Sequence, residues 1–184
     1  MEYKLTAPCT AADLAPLRAG DTVLLSGVVY TARDQAHKRM MEALDRGEAL
    51  PFPLEGSAIY YVGPTPERPG QVIGSAGPTT SGRMDSMSPR LLDLGNKIMI
   101  GKGKRDAAVK TAVRRNGAVY LAALGGAGAL MAKSVRSLEV IAWPDLGCEA
   151  VRRLEVEDMP LTVILDSVGG DLYESGPAAY LASL

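Results

Sequence analysis

"DTVLLSGVVYTARDQAHKRMMEALDRG", residues 21–47, decides the fold class. Residues 21–31 are β-branched and apolar and follow Gly20, the composition of a buried strand. The remainder places His37, Met40, Met41 and Leu44 at i, i+3, i+4 and i+7, one face of a helix that closes near Gly47. Thr31 and Asp34 have capping-box spacing, with Asp in place of the usual Glu. A buried strand running directly into an amphipathic helix is the repeating unit of a parallel α/β sheet.

Working outward, "AIYYVGP" (58–64) and "QVIGSAG" (71–77) read as strands around a Pro-rich loop, and "SPRLLDLG" (88–95) as a short helix with a glycine stop. "KIMIGKG" (97–103) reads as a strand ending in a glycine turn. "RDAAVKTAVRRNG" (105–117) is a helix with cations near its C-terminus, where the dipole favours them. "AVYLAALG" and "GAGALMAKSV" give a further strand and helix. "SLEVIAW" (137–143) and "CEAVRRLEVED" (148–158) form a hairpin-like pair around Pro144–Gly147, and "PLTVILDSVGGDLY" closes with another buried strand. The expected architecture is α/β with a largely parallel sheet, plus a second, more antiparallel layer from residues 60–77 and 138–156. No repeat or linker divides the chain, so residues 1–184 are expected to form one domain.

Hydrophobic residues are 47% and charged residues 22% of the sequence, and 20 Lys and Arg against 21 Asp and Glu leave a net charge of −1. Such a balance gives no long-range attraction to nucleic acid or to an anionic membrane, while a local cationic pocket stays possible. Cys9 and Cys148 are far apart, with only His37 as a further soft ligand. An iron–sulfur or structural zinc site needs about four such ligands, so this chain is expected to bind no cofactor alone. Two reduced thiols fit a cytoplasmic protein. The N-terminus "MEYKLTAPCTAADL" lacks the apolar core of a signal peptide. The longest apolar stretch, residues 117–132, is Gly-rich and shorter than the roughly 18 residues of a membrane span.

Four segments carry polar residues that a core does not need. In "TARDQAH", Arg33 lies in the first turn of the helix, where a cation opposes the dipole unless an anion compensates. Alone, this segment favours a plain surface arginine paired with Asp34. "GSAGPTTSGRMD" (74–85) sets Thr79, Thr80 and Ser81 between glycines, ahead of Arg83 and Asp85. Its glycines permit close backbone approach to a ligand and its hydroxyls can donate or accept. "IMIGKGKRD" (98–106) fails the Walker A pattern, because five residues separate Gly95 from Gly101 and Gly103 follows Lys102. What survives is Lys102 at the C-terminal end of a parallel-type strand, where α/β sheets place ligands. "GGAGAL" (125–130) lacks GxGxxG and reads first as a tight turn. Arg33, Arg83 and Lys102 with Thr79 suit a small dicarboxylate.

With these residues in view, "SGVVYTARDQAHKRM", "GSAGPTTSGRMD", "IMIGKG", "LGGAGALMAKSV" and "WPDLGCEAVRRLEVEDMPLTVILDSVGGDLY" together resemble the β-subunit, or C-terminal domain, of the class I iron–sulfur fumarate hydratase and L(+)-tartrate dehydratase family. The resemblance covers about Gly20 to Tyr173. It implies a swivelling β/β/α three-layer domain. It further implies a hydro-lyase acting on a C4 dicarboxylate, with fumarate hydratase ahead of tartrate dehydratase and of a non-catalytic dicarboxylate-binding module. A separate α-subunit would carry the 4Fe–4S cluster, within an α2β2 assembly. By the same resemblance Arg33, Arg83, Lys102 and Thr80 bind substrate and Thr79 is the catalytic base. His37 is a catalytic candidate whose place on the Met40–Leu44 face fits a core histidine equally well.

Overall fold

The structure is a computed structural model and describes residues 1–183. In chain order its elements are β1 (Glu2–Ala7), α1 (Ala11–Leu14), β2 (Thr22–Thr31), α2 (Asp34–Asp45), β3 (Ala58–Tyr60), α3 (Ser88–Asp93), β4 (Ile98–Gly101), α4 (Ala107–Asn116), β5 (Val119–Ala122), α5 (Gly128–Lys133), β6 (Val135–Ala142), β7 (Val151–Leu165) and α6 (Leu172–Ala182). Two 3-10 segments, Ser81–Met84 and Pro144–Glu149, lie between them.

The strands form one mixed sheet of seven. Strands β1 to β5 run parallel in sequence order. The long β7 is antiparallel to β2 along Arg152–Thr162, to β5 at its C-terminal end and to β6 at its N-terminal end. Because β7 pairs with both β2 and β5, the run β2–β3–β4–β5–β7 closes on itself.

Strand periodicity divides the apolar residues between two clusters. Val23, Leu25 and Val29 of β2, Ala58 and Tyr60 of β3, Ile98 and Ile100 of β4, Val119 and Leu121 of β5 and Leu154 to Val163 of β7 share one core. The alternate residues Ile59, Met99 and Tyr120 face the other way. They pack under Ala36 and Met40 of α2, Leu91 and Leu92 of α3 and Val109, Ala112 and Val113 of α4. Each fully buried Val, Leu, Ile or Met among them contributes on the order of 1.5–3 kcal/mol. Helix α4 is bounded as its sequence dictates: the Asp106 side chain accepts from the Val109 amide, and Gly117 supplies the left-handed C-cap.

Four expectations need correction. Residues 71–77 form no strand, because Pro64, Pro66 and Pro69 remove backbone donors from the neighbouring segment. The loop instead folds on itself through Thr65 and Ser75 and pairs outward with Gly128. The antiparallel part of the sheet therefore comes from β6 and β7, while β3 belongs to the parallel run. Thr31 does not cap α2, because its hydroxyl donates to the Ala150 carbonyl and accepts from the Arg152 amide of β7. The closing strand is one continuous element from Val151 to Leu165, not two. Three elements have no counterpart in the sequence reading: β1, a half-exposed strand beside β2, the short α1, and α6. Among the described residues no helix is long and apolar enough to cross a membrane.

Gly27 marks where β2 shifts register against β7, opposite a β7 stretch in which Asp158 has a positive φ of 46°. Its own φ is 94°, and a Cβ there would lie 2.3 Å from the Ala7 carbonyl oxygen. Gly27→Ala is expected to destabilise the chain by about 2 kcal/mol or more. Denaturant titration should show this as a lowered midpoint at unchanged slope; an unchanged midpoint would contradict it.

Candidate active site

The sequence-predicted cations gather at the carboxyl ends of the parallel strands. Arg33 follows β2 by two residues and is the N-cap residue of α2, with no side-chain cap of its own. It lies against the backbone beyond β3, so that a Cβ on Gly63 would sit 2.7 Å from its NH1 nitrogen. Glycine at 63 is what lets the guanidinium approach the chain so closely.

The Thr-Thr-Ser segment is inserted between the ends of β3 and β4. Pro78 bridges Val62, the Thr79 amide donates to the Tyr61 carbonyl at 2.7 Å, and the Ser81 amide donates to the Lys102 carbonyl at 2.9 Å. The Lys102 amide returns a bond to the Ser81 hydroxyl at 3.0 Å, and Thr80 pairs with Lys102 as a parallel bridge. Thr79 is half-buried, Thr80 and Lys102 are exposed, and neither threonine hydroxyl has a hydrogen bond among the described residues. Lys102 also approaches the Gly125 turn beyond β5.

Asp34 joins the two arginines. Arg83, on the 3-10 turn Ser81–Met84, forms an ion pair with Asp34, its Nε 2.8 Å from Asp34 Oδ1, although its side chain is 54% exposed. Arg33 NH2 lies 3.8 Å from the other oxygen of Asp34 and 3.5 Å from Glu149 Oε1. Glu149 also caps α2 from outside, its second oxygen accepting from the Gln35 amide at 2.8 Å. An acid there complements the helix dipole that Arg33 opposes. The guanidiniums at 33 and 83 thus meet at one carboxylate, from segments fifty positions apart. Three buried polar atoms in this corner, Arg33 Nε, Asp34 Oδ2 and His37 Nε2, have no hydrogen-bond partner among the described residues.

His37 lies beneath the site. It is fully buried, its Nδ1 is 2.9 Å from the Arg33 carbonyl, and its ring meets Tyr61 edge-on. With a carbonyl as partner, Nδ1 carries the proton and Nε2 presents a lone pair. Desolvation pushes its pKa down to about 4, partly countered by the Arg33 carbonyl, so the ring is neutral at pH 7. In this arrangement it supports the Arg33 backbone and does not reach the surface where Thr79 and the cations stand.

A buried support beneath the loops was not foreseen. The side chain of Arg105 is wholly buried. It donates to Asp85 Oδ1 at 2.6 Å and to the Ser88 hydroxyl at 2.9 Å, and lies against the rings of Tyr61 and Tyr120. Asp85 also accepts from the Asp106 amide, and the Tyr120 hydroxyl bonds Ser81 and the Gly103 carbonyl. These contacts fix the loops bearing Arg83 and Lys102 to each other. The one available sequence signal was Asp85 in "GRMD" facing Arg105 in "GKGKRD".

Among the described residues no three His, Cys, Asp or Glu side chains converge as metal ligands. Cys9 is buried, its thiol pushed up to about 11 by desolvation and Asp13, and Cys148 is exposed. These residues do not fit an iron–sulfur cluster.

The fold and site define an α/β domain that presents convergent cations and a threonine at the carboxyl edge of its parallel strands. The chain matches the family model described as Fumarase C-terminus over residues 1–176, and it belongs to that family. It is 41% identical over 167 residues to fumarate hydratase 2 of Leishmania major, and 39% identical over 165 residues to the aerobic class I fumarate hydratase of Escherichia coli K12. Those alignments take in 88% and 89% of this chain but 29% and 30% of the relatives, so the chain spans about three-tenths of their length. It is also 41% identical over 180 residues to a putative L(+)-tartrate dehydratase subunit beta of Methanocaldococcus jannaschii, covering 95% of this chain and 92% of that one.

The buried neutral His37 predicts a pH dependence of stability. Its folded pKa lies below the unfolded value near 6.5, so between about pH 6.5 and 4 the unfolded chain binds the extra proton. Its contribution is complete above pH 6.5 and is lost as pH falls through about 4, up to roughly 3 kcal/mol. Denaturation midpoints across that window should fall more steeply for the natural chain than for His37→Gln; parallel curves would contradict the assignment.

Proposed function

We propose that this chain is the β-subunit of a hydro-lyase that reversibly adds water to a C4 dicarboxylate, converting fumarate to L-malate. The observation that carries the proposal is the meeting of Arg33 and Arg83 at Asp34, beside the inserted Thr79 segment and Lys102. In this reading Arg33, Arg83, Lys102 and Thr80 hold the carboxylates. In the malate-to-fumarate direction the Thr79 oxygen, as an alkoxide whose own proton has passed to an acid of the partner subunit, takes the proton from the carbon next to one of them.

Removing that proton places a further negative charge on the adjacent carboxylate. Fixed cations stabilise this charge more than that of the resting substrate, which is the condition for lowering the barrier. Threonine is a weak base in water, and neighbouring cations favour its alkoxide. His37 serves as a support for Arg33, since its burial and its bond to that carbonyl leave it neutral and out of reach. The site is open on this chain, with Lys102 and Thr80 exposed, so a covering partner is needed to exclude water.

That partner is taken to be an α-subunit holding a 4Fe–4S cluster, in an α2β2 cytoplasmic enzyme. The cluster would supply Lewis acidity, and no step through it is assigned to residues of this chain. The two apolar clusters, one among strands and one under α2, α3 and α4, support a three-layer β/β/α description. A second reading, L(+)-tartrate dehydratase, is favoured by the relative of matching length, a beta subunit aligned over 92% of its chain.

The test is reconstitution with a cluster-bearing partner under anaerobic conditions, assayed on L-malate and L-tartrate. Arg33→Lys should lower kcat/KM by about 100-fold or more, because lysine lacks the bidentate fork. A near-normal value would remove Arg33 from substrate binding. Thr79→Ser should retain measurable turnover while Thr79→Ala loses about 100- to 10,000-fold; equal activities would remove Thr79 from proton transfer.

A further inference from the structure

The acid between the two arginines is an odd occupant for a site proposed to attract a dianion. Asp34 brings negative charge to the place where a carboxylate must arrive, and Glu149 adds a second. Electrostatics alone would favour a neutral residue at 34. We propose that Asp34 is a positioning residue: it pins Arg83 to the start of α2 and thereby sets the place of the Arg83 fork relative to Arg33. The proposal rests on the dicarboxylate reading above.

The geometry supplies the reasons. Arg83 stands on a four-residue 3-10 turn with more than half of its side chain in solvent, and Asp34 is its only ion-pair partner among the described residues. Free, such an arginine samples many rotamers, and ordering it on ligand arrival costs affinity. Asp34 is suited to hold it. The aspartate is the first residue of α2, largely buried, and fixed in direction by the helix. The contact also falls at a useful atom. Asp34 Oδ1 faces Nε as an ion pair, leaving NH1 and NH2 of Arg83 without a hydrogen bond among the described residues. That end-on fork is the edge that binds a carboxylate bidentately. On the other side, Asp34 Oδ2 faces Arg33 NH2 at 3.8 Å without hydrogen-bonding it, so the Arg33 fork is not consumed.

A half-exposed ion pair adds little to stability, so loss of Asp34 should show in ligand handling more than in folding. Two substitutions separate positioning from charge. In Asp34→Asn an oxygen remains to face Arg83 Nε but the charge is gone; Asp34→Ala removes both. In the enzyme assembled with its cluster-bearing partner, Asp34→Ala is expected to raise KM for the C4 acid at least tenfold with kcat reduced less than threefold. Asp34→Asn is expected to stay within threefold of the natural enzyme. A merely structural role would lower kcat through loss of folded enzyme and leave KM unchanged, and that result would overturn the proposal. Equal KM values for the Asn and Ala variants would overturn it too, since charge alone would then be at work. A second readout uses the isolated chain: the Nε–Hε resonance of Arg83 in a nitrogen–proton correlation spectrum. It should be resolved in the natural chain and in Asp34→Asn, and broadened or shifted to the free-arginine position in Asp34→Ala. If the natural assembly turns over neither acid, the reaction proposed above fails on its own. The spectrum then still decides the pinning: an Arg83 signal indifferent to Asp34→Ala overturns it.

Discussion

One strand ties β2 to β5 across the parallel run. Along its fifteen residues β7 carries hydrogen bonds to β2 on one edge and to β5 and β6 on the other, so the carboxyl ends of β2, β3 and β4 cannot drift apart. Those ends are where Arg33, the Thr79 segment and Lys102 emerge. The same strand captures the Thr31 hydroxyl two residues before Arg33. The 3-10 segment just ahead of it delivers Glu149 to the first turn of α2. The site is therefore a property of sheet closure as much as of its own loops.

Closure alone would leave the loops to wander, and a second constraint prevents it. The segment 78–81 is threaded between the ends of β3 and β4 by backbone bonds to Tyr61 and Lys102. Below it, the buried Arg105–Asp85 pair and the hydroxyls of Ser88 and Tyr120 tie the same loops together. A buried cation is stabilising only when fully paired, and Arg105 is paired through its Nε with Asp85 and flanked by two aromatic faces. Rigid support beneath exposed cations lets them be ordered before a ligand arrives.

How much of this was legible in the sequence depends on whether the signal was local. The β2–α2 unit and α4 could be read because strand composition, helical spacing and the Asp106 and Gly117 caps are written within a few residues. The hairpin of β6 and β7 was visible for the same reason. The capping role of Thr31 was misjudged because a partner 119 positions away outcompeted the local amide. Residues 71–77 have strand composition, yet their neighbours lack the donors a ladder requires. β1 alternates half-exposed residues with charged ones, as an edge strand does, and so lacks a buried run to find. The candidate site residues Arg33, Thr79, Arg83 and Lys102 stand out by polarity at strand ends that a core does not need. Asp34 as their junction, Glu149 as an external cap and Arg105 as a support are long-range pairings, and no spacing rule discloses them.

The central claim is that remote guanidiniums converge on one dianionic ligand. The most direct measurement is a crystallographic difference map of this chain in complex with its cluster-bearing partner and a bound C4 dicarboxylate. Convergence predicts carboxylate density within hydrogen-bond distance of the terminal nitrogens of Arg33 and Arg83, with the Thr79 hydroxyl facing the carbon between. Density for the acid elsewhere, with Arg83 still on Asp34 and no carboxylate at Arg33, would contradict it.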